Sequence, residues 1–236
     1  MAQSALPLRK SQELIALPMG QVLDEFGRGN HVPGSGSAAA LMGALAAQLT
    51  LTVCKITAIE GSSSASQLRY LADRLTTQFI PELERLFQKD ADDFDVVVQL
   101  RRRRNSTDDE VLKRRLREAA LRGLERGTEL VLDIGDLCIE LVDHALMVFD
   151  TGAKKVRGDS GAAISSAIAG ASTAIFVANL NLRSFQGGRW AIGIQSRVNR
   201  MQDLLLEKQT EAFRRASALQ PSLVGEEQGV LFAELE

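Results

Sequence analysis

Two segments of this 236-residue chain are made almost entirely of small side chains, and they restrict the possible folds more than any other feature. The first reads GSAAALMGALAAQLTLTVCKI and the second reads GAAISSAIAGASTAIFVANLNL. Glycine, alanine and serine let helix backbones approach closely, and a helix that is apolar on all sides belongs in the middle of a bundle. We therefore predict two central helices surrounded by larger amphipathic ones.

The rest of the chain also follows helical spacing. After Gln67 the apolar residues recur every three or four positions, at Leu68, Leu71, Leu75, Phe79, Leu83 and Leu86. Pro81 lies inside this run and predicts a kink or a restart. A long helical pattern covers residues 105–150, although Gly123 and Gly127 weaken the expectation of one unbroken helix. No stretch alternates with period two, so we predict an all-α bundle in one domain over residues 1–236, with a loose tail from about 220 to 236.

Composition excludes several classes of protein. The net charge of −2 gives no general attraction to nucleic acid or to an anionic membrane. Cys54 and Cys138 lie in apolar helical patterns without CxxC spacing, which predicts buried, reduced thiols in a cytoplasmic protein. The two histidines and two cysteines do not show metal-ligand spacing, so we predict no metal site. The N-terminus has no continuous apolar run typical of a signal peptide.

A membrane-spanning helix is the main alternative for the second small-residue segment. Residues 161–178 carry no charge and are nearly long enough to cross a bilayer. However, the segment contains several hydroxyl side chains, few large apolar ones and no flanking aromatic belt. We therefore expect a buried central helix and no membrane insertion.

The segment PGSGS at residues 33–37 leads directly into the first small-residue helix. Gly34 and Gly36 permit close backbone approach, Ser37 can cap the helix, and the first helical N–H groups face the loop. A phosphate-binding P-loop would need a lysine here, and a dinucleotide motif would need a preceding strand and a third glycine. The loop alone supports a tight turn and a ligand site equally.

Three segments can be compared with motifs of known proteins. In chain order they read PGSGSAAALMGALAAQLTLTVCKIT, DADDFDVVVQL and RGDSGAAISSAIAGASTAIFVANLNL. They resemble three motifs of one family, which comprises the cyclodeaminase domain of formiminotransferase-cyclodeaminase and the related methenyltetrahydrofolate cyclohydrolases. These motifs are a core helix that begins with PGGGS, a D-x-x-A-F segment, and an S-D-x-x-x-A helix that ends in N-V-x-I-N. The resemblance covers roughly residues 10–215. It aligns Asp90 and Asp159 with two aspartates of the family and Asn181 with the final asparagine.

The resemblance implies an all-helical homo-oligomer, which we expect to be a homodimer, with a reduced folate beside the loop near the subunit interface. The folate is the substrate, and no separate cofactor is implied. Cyclodeaminases of the family convert 5-formiminotetrahydrofolate to the 5,10-methenyl form, and cyclohydrolases open that form to 10-formyltetrahydrofolate. We favour the cyclohydrolase, because the chain contains no formiminotransferase domain. The implied substrate-binding residues are Pro33, Gly34, Ser35, Gly36, Ser37 and Asn181, and the implied catalytic residues are Asp159 and Asp90.

The methenyl group is an amidinium-like cation, so a carboxylate beside it could both stabilise the charge and take a proton from water. Asp159 is the first candidate for this base, and its alternative role is that of an ordinary helix cap. Asp90 is the second candidate, for contact with the pterin or with N5 of the folate, and its alternative is a solvated charge beside Lys89. Asn181 and Asn179 cannot share one helix face, and we favour Asn181 as the side chain that pairs with a pterin edge.

Several residues depart from the family pattern. Ser35 replaces a glycine, Asp93 replaces an alanine, Arg104 and Asn105 replace a Pro-Lys pair, and Val177 replaces an asparagine. All of these changes except that at Asp93 support an alternative, a non-catalytic oligomer that binds a partner protein or senses a ligand. The arginine run at 101–104 suits either a folate polyglutamate tail or a solvated helix end, and we favour the helix end. No aromatic residues interleave with it, so nucleic-acid binding is disfavoured.

Overall fold

The computed structural model describes residues 13–59, 64–185 and 187–219. Its α-helices are α1 Met19–Gly27, α2 Ser35–Ile59, α3 Ala65–Arg74, α4 Ile80–Asn105, α5 Glu110–Thr151, α6 Arg157–Leu182 and α7 Arg189–Ser217. Short 3₁₀ turns at Leu14–Ala16 and Lys154–Val156 precede α1 and α6. The described part of the chain contains no strand, so the predicted all-α class is confirmed. The tail predicted at 220–236 lies outside the described residues.

The two small-residue helices, α2 and α6, pack against each other and against α5, as predicted. A Cβ added at Gly170 of α6 would lie 2.7 Å from the Sγ atom of Cys138 and 3.0 Å from the carbonyl oxygen of Ala39. A Cβ at Gly43 of α2 would lie 2.8 Å from the same sulfur. These glycines therefore let three backbones meet around one thiol. Burial raises the pKa of Cys138 to about 12, so the thiol stays protonated and serves as packing.

Two helical stretches, Ser35–Ile59 and Lys154–Leu182, are long and apolar enough to cross a membrane by length and composition alone. In this structure both lie within the bundle. More than half of the residues in the most apolar window of the first are buried by other helices, as are nearly half in that of the second. The core helices of a bundle meet the same criteria, and the packing of α2 on α6 accounts for their composition.

A π-helical turn, Leu75–Phe79, joins α3 to α4, and Pro81 is the second residue of α4. Ile80, the residue before the proline, donates its backbone N–H to the carbonyl oxygen of Leu75, so the helical bonding continues from the π turn into α4. The kink or restart predicted at Pro81 is thus a change of helical pitch. The α5 helix is unbroken over 42 residues despite Gly123 and Gly127.

The last helix, α7, lies along the outer face of α5 and runs in the same direction. Its apolar stripe is buried, and its flank forms ion pairs with carboxylates of α5 along the length of the contact. These pairs join Arg197 to Asp133 and Asp136, Lys208 to Asp143, and Arg215 to Asp150. The carboxylate of each pair is about half exposed, so each pair adds little stability, and α7 is held mainly by its apolar stripe.

Candidate functional site

A cavity of about 110 Å³ lies between the first turn of α2, the middle parts of α4 and α5, and the last turns of α6. Its apolar wall is formed by Phe94, Val97, Leu124, Val131, Val177 and Leu180, and four glycines line it at positions 34, 36, 123 and 127. The polar residues of the wall are Ser35, Asp90, Asp93 and Asn181. Both charged residues are acidic, so the cavity suits a cationic ligand group or one rich in hydrogen-bond donors.

Asp90 is the most constrained polar residue of the wall. The backbone N–H and the hydroxyl of Ser37 both donate to its Oδ2 atom, at 2.7 Å and 2.8 Å, and only 9% of the residue is exposed. A carboxylate from α4 therefore caps the N-terminus of α2, where helical N–H groups favour negative charge. The sequence predicted Ser37 as the cap. That prediction is wrong, because α2 begins two residues earlier and Ser37 is the donor.

Residue 36 must be a glycine, because the carboxylate of Asp90 occupies the space that a side chain there would need. A Cβ at residue 36 would lie 2.6 Å from the Cγ atom of Asp90 and 2.8 Å from its Oδ2 atom. Asp90 is buried and short, so it can move away only by breaking both hydrogen bonds from Ser37. Gly36 thus lets the backbone of α2 approach a carboxylate of the protein itself, in addition to any ligand.

Burial raises the pKa of Asp90 above its ordinary value, and the hydrogen bonds from Ser37 oppose that shift. The nearby charge of Asp93 raises the pKa further. A carboxyl group whose charged form is disfavoured accepts a proton more readily than a solvated aspartate does. The site therefore contains a buried carboxylate suited to general-base chemistry.

The remaining donors at the start of α2 are the backbone N–H groups of Ser35 and Gly36, and both residues line the cavity. Within the residues that the structure describes, neither group donates to a protein acceptor. Free N–H groups at a helix N-terminus bind anions and carbonyl oxygens well. The cavity thus combines backbone N–H donors at the N-terminus of α2 with acidic side chains.

Asn181 lines the cavity, whereas Asn179 contacts Gln195 of α7 at 3.5 Å. This matches the helical spacing, which allows only one of the two asparagines to face a given cleft. Pro33 is buried and, like Ser37, does not line the cavity. Of the residues predicted to bind the substrate, the structure brings Gly34, Ser35, Gly36 and Asn181 together around Asp90.

Asp159 is not part of this cavity. It lies in the first turn of α6, whereas Asn181 lies in the last turn, and 22 residues of helix separate them by about 33 Å. The prediction that Asp159 shares a site with Asp90 is therefore wrong within the protomer. The cap role is also wrong, because α6 begins at Arg157, its N-cap residue is Val156, and no side chain caps it.

Gly123 and Gly127 of α5 were not predicted as site residues. A Cβ at Gly123 would lie 2.7 Å from the Cγ2 atom of Val97, so this glycine allows α4 and α5 to approach closely. A Cβ at Gly127 would meet nothing within 4 Å, so this glycine keeps the cavity open. Two glycines four residues apart on an otherwise amphipathic helix were the available signal, because both fall on one helix face.

A second, more open cleft of about 350 Å³ lies at the tip of the α4–α5 hairpin and is lined by Arg104, Asn105, Glu110, Lys113, Arg114 and Arg117. Arg104 donates to the side chain of Asn105, and Lys113 pairs with Glu110 at 2.7 Å. In the part of the chain that the structure describes, no three His, Cys, Asp or Glu side chains converge as metal ligands would.

Comparisons with known proteins agree with this architecture. Residues 18–200 match the family model described as formiminotransferase-cyclodeaminase. The methenyltetrahydrofolate cyclohydrolase of Methylorubrum extorquens is 28% identical over 192 residues, which are 78% of this chain and 87% of that protein. The crystal structure of formiminotetrahydrofolate cyclodeaminase from Thermotoga maritima superimposes with a TM-score of 0.74, at 14% identity, over 87% of this chain and 98% of that one. The family model covers most of the chain, and the chain therefore belongs to the formiminotransferase-cyclodeaminase family, as the three motifs predicted.

Proposed function

We propose that this protein is a folate one-carbon enzyme that hydrolyses 5,10-methenyltetrahydrofolate to 10-formyltetrahydrofolate. The observation that carries the proposal is the buried carboxylate of Asp90, which caps α2 and lines a cavity whose charged residues are all acidic. The similarity to a methenyltetrahydrofolate cyclohydrolase supports this reaction over the related formimino cyclodeamination.

The chemistry follows from the charge of the substrate. The carbon that bridges N5 and N10 is electrophilic because both nitrogens share its positive charge. Asp90 stabilises this cation and accepts a proton from the water that attacks the carbon. The bond between N5 and the carbon then breaks as Asp90 returns this proton to N5, the new hydroxyl group loses its own proton to solvent, and the resulting formyl group remains on N10. The raised pKa of Asp90 supports this role in proton transfer.

Other groups of the wall orient the ligand. The amide of Asn181 can pair with both donors and acceptors of a pterin edge. The free N–H groups of Ser35 and Gly36 can donate to a carbonyl oxygen or to the oxygen that develops during attack. Apolar side chains such as Phe94 and Leu180 surround the flat ring.

The small cavity accepts only part of a folate, because sites for drug-sized ligands measure about 300–1,000 Å³. The remainder extends along the α4–α5 hairpin toward the basic cleft. Arg104 follows Val97 by seven residues and Arg117 precedes Leu124 by seven, so the cleft and the cavity share one face of each helix. Seven residues span about 10 Å. This position supports the binding of the carboxylate tail by the arginines, and the solvated helix end remains the alternative.

The protein is proposed to be a homodimer. The outward faces of α2 and α6 expose large apolar side chains, including Leu45, Phe176 and Leu180, of which Leu180 also lines the cavity. Exposed apolar residues that cluster on neighbouring helices are typical of a protein interface. Light scattering of the purified protein tests this assembly.

The direct test of the proposed reaction uses purified protein and 5,10-methenyltetrahydrofolate, with the loss of its near-ultraviolet absorbance as the readout. We expect a rate well above that of buffer at the same pH. Since the unionised form of Asp90 cannot accept a proton, kcat/KM should rise with pH as this group loses its proton, at a pH above the ordinary aspartate range. A rate equal to that of buffer, together with no binding of reduced folates, would contradict the proposal.

The second candidate is a non-catalytic protein that senses a ligand or binds a partner. The small size of the cavity favours it, as do Ser35 and Val177, which line the cavity at positions where the family has other residues. Isothermal titration with folinic acid separates the two candidates when it is combined with the hydrolysis assay. Binding without turnover indicates a sensor, and binding with turnover indicates the enzyme.

Filling the cavity at Gly127 is expected to abolish folate binding without loss of fold. In Gly127→Leu, the side chain enters open space, and replacing glycine inside a helix favours folding by about 0.5–1 kcal/mol. We therefore expect no fall in melting temperature and a loss of folinic acid binding of at least about tenfold, measured by calorimetry. The matched control is Gly193→Ala in α7. A Cβ at Gly193 also meets nothing within 4 Å, and Gly193 does not line the cavity. Unchanged binding by Gly127→Leu would place the ligand elsewhere.

A further inference from the structure

The cavity contains a second carboxylate, Asp93, whose surroundings differ from those of Asp90. Asp90 is buried, and its Oδ2 atom is held by two hydrogen bonds from Ser37. Asp93 lies one helical turn further along α4, lines the same cavity, and has 34% of its side chain exposed. One wall of the cavity therefore carries a fixed carboxylate and an accessible one.

Among the described residues, the accessible carboxylate forms one ion pair. The Nζ atom of Lys89 lies 2.9 Å from the Oδ2 atom of Asp93, and 47% of the lysine side chain is exposed. Lys89 does not line the cavity. A solvated pair four residues apart on a helix is weak, so another cation can replace the lysine at little cost.

We infer that Asp93 is the residue that selects a positively charged ligand, and that Lys89 is a counter-ion displaced when the ligand binds. This inference rests on the proposed function, because it assigns the charge of the ligand to the methenyl group. Within this scheme the two carboxylates have separate tasks. Asp90 handles the proton of the attacking water, and Asp93 discriminates between the cationic substrate and its neutral product.

Two substitutions are expected to act in opposite directions. Asp93→Asn removes the accessible charge and should weaken binding of 5,10-methenyltetrahydrofolate by about tenfold, since hydrogen bonds to charged groups are stronger than neutral ones. Lys89→Gln removes the competing cation and should tighten the same binding by about twofold. Neither should change the affinity for folinic acid, whose pterin end is neutral.

The affinities are measured in rapid-mixing titrations that finish before the methenyl compound hydrolyses. Asp92→Asn is the matched control. It removes the same charge from the neighbouring position, where the carboxylate accepts a hydrogen bond from Gln88 and does not line the cavity. This control should bind both ligands as the unsubstituted protein does. All of these residues are partly or fully exposed, so the variants should fold, and circular dichroism verifies this.

The outcomes separate the inference from the proposed function. Opposite effects of Asp93→Asn and Lys89→Gln on the cation alone support the inference. Equal effects on both ligands, or an Asp92→Asn effect as large as that of Asp93→Asn, would overturn it while leaving folate binding in place. Failure of the unsubstituted protein to bind either ligand would overturn the proposed function as well.

Discussion

Replacing Asp90 with asparagine is expected to reduce kcat/KM for 5,10-methenyltetrahydrofolate hydrolysis by about 10²–10⁴-fold, the usual contribution of a general base. Asparagine has nearly the same shape as aspartate, and its side-chain oxygen can still accept the hydrogen bonds from Ser37. It cannot accept the proton of water. Asp90→Asn therefore tests the chemical role of the carboxylate separately from its role as the cap of α2.

The stability of the same variant should depend less on pH. The pKa of Asp90 is raised in the folded protein above its ordinary value of 3.8, so the folded state retains a proton that the unfolded chain has already lost. The contribution of this group to stability is greatest below the unfolded pKa and declines as pH rises through the folded pKa. Asp90→Asn keeps a neutral group at every pH, so near neutral pH we expect it to be at least as stable as the unsubstituted protein.

Asp95→Asn provides the matched control for these measurements. Asp95 lies on α4, accepts a hydrogen bond from Gln99 and does not line the cavity. Its substitution should leave kcat/KM unchanged. If Asp90→Asn retains full activity while Asp95→Asn behaves as expected, Asp90 is not the base, and its carboxylate serves only to hold α2.

The fold was largely predictable because the pattern of small residues has one physical solution. The side chains of α2 and α6 are small and mostly apolar on every face, so these two helices pack together in the core. The apolar stripes of the other helices then cover them. The unbroken α5 was less predictable. Its glycines cost helix propensity locally, but Gly123 permits contact with Val97 of α4, and tertiary packing of this kind overrides local propensity.

The site was only partly predictable, since a sequence motif does not say which end of a helix meets which neighbour. Asp90, Gly36 and Asn181 come together because α2 and α6 are antiparallel, which places the start of one beside the end of the other. The same arrangement sends Asp159 to the far end of the bundle. The hydrogen bonds from Ser37 to Asp90 join residues 53 positions apart, and no local pattern could indicate that the loop closes on a carboxylate of the protein itself.

Gly36→Ala is expected to destabilise the protein by about 2–4 kcal/mol and to remove folate binding. The added Cβ would occupy the position of the Asp90 carboxylate, which could leave only by losing two hydrogen bonds from Ser37, and hydrogen bonds to charged groups contribute about 1.5–3 kcal/mol each. Gly161→Ala is the control, because Gly161 lies near the start of the other small-residue helix and a Cβ there meets nothing within 4 Å. Denaturant unfolding of both variants gives the difference in free energy.

The double variant Gly36→Ala/Asp90→Ala decides whether the carboxylate is the cause. Asp90→Ala alone should be destabilising, because it leaves the buried N–H and hydroxyl of Ser37 without an acceptor. Once the carboxylate is gone, however, the methyl group at residue 36 has room, and alanine favours the helical conformation over glycine. The double variant should thus be no less stable than Asp90→Ala, with a coupling energy of about 1–3 kcal/mol between the two positions. Additive losses would mean that Gly36 is needed for another reason, such as the conformation of the loop, and would separate the glycine motif from the aspartate that we place beside the substrate.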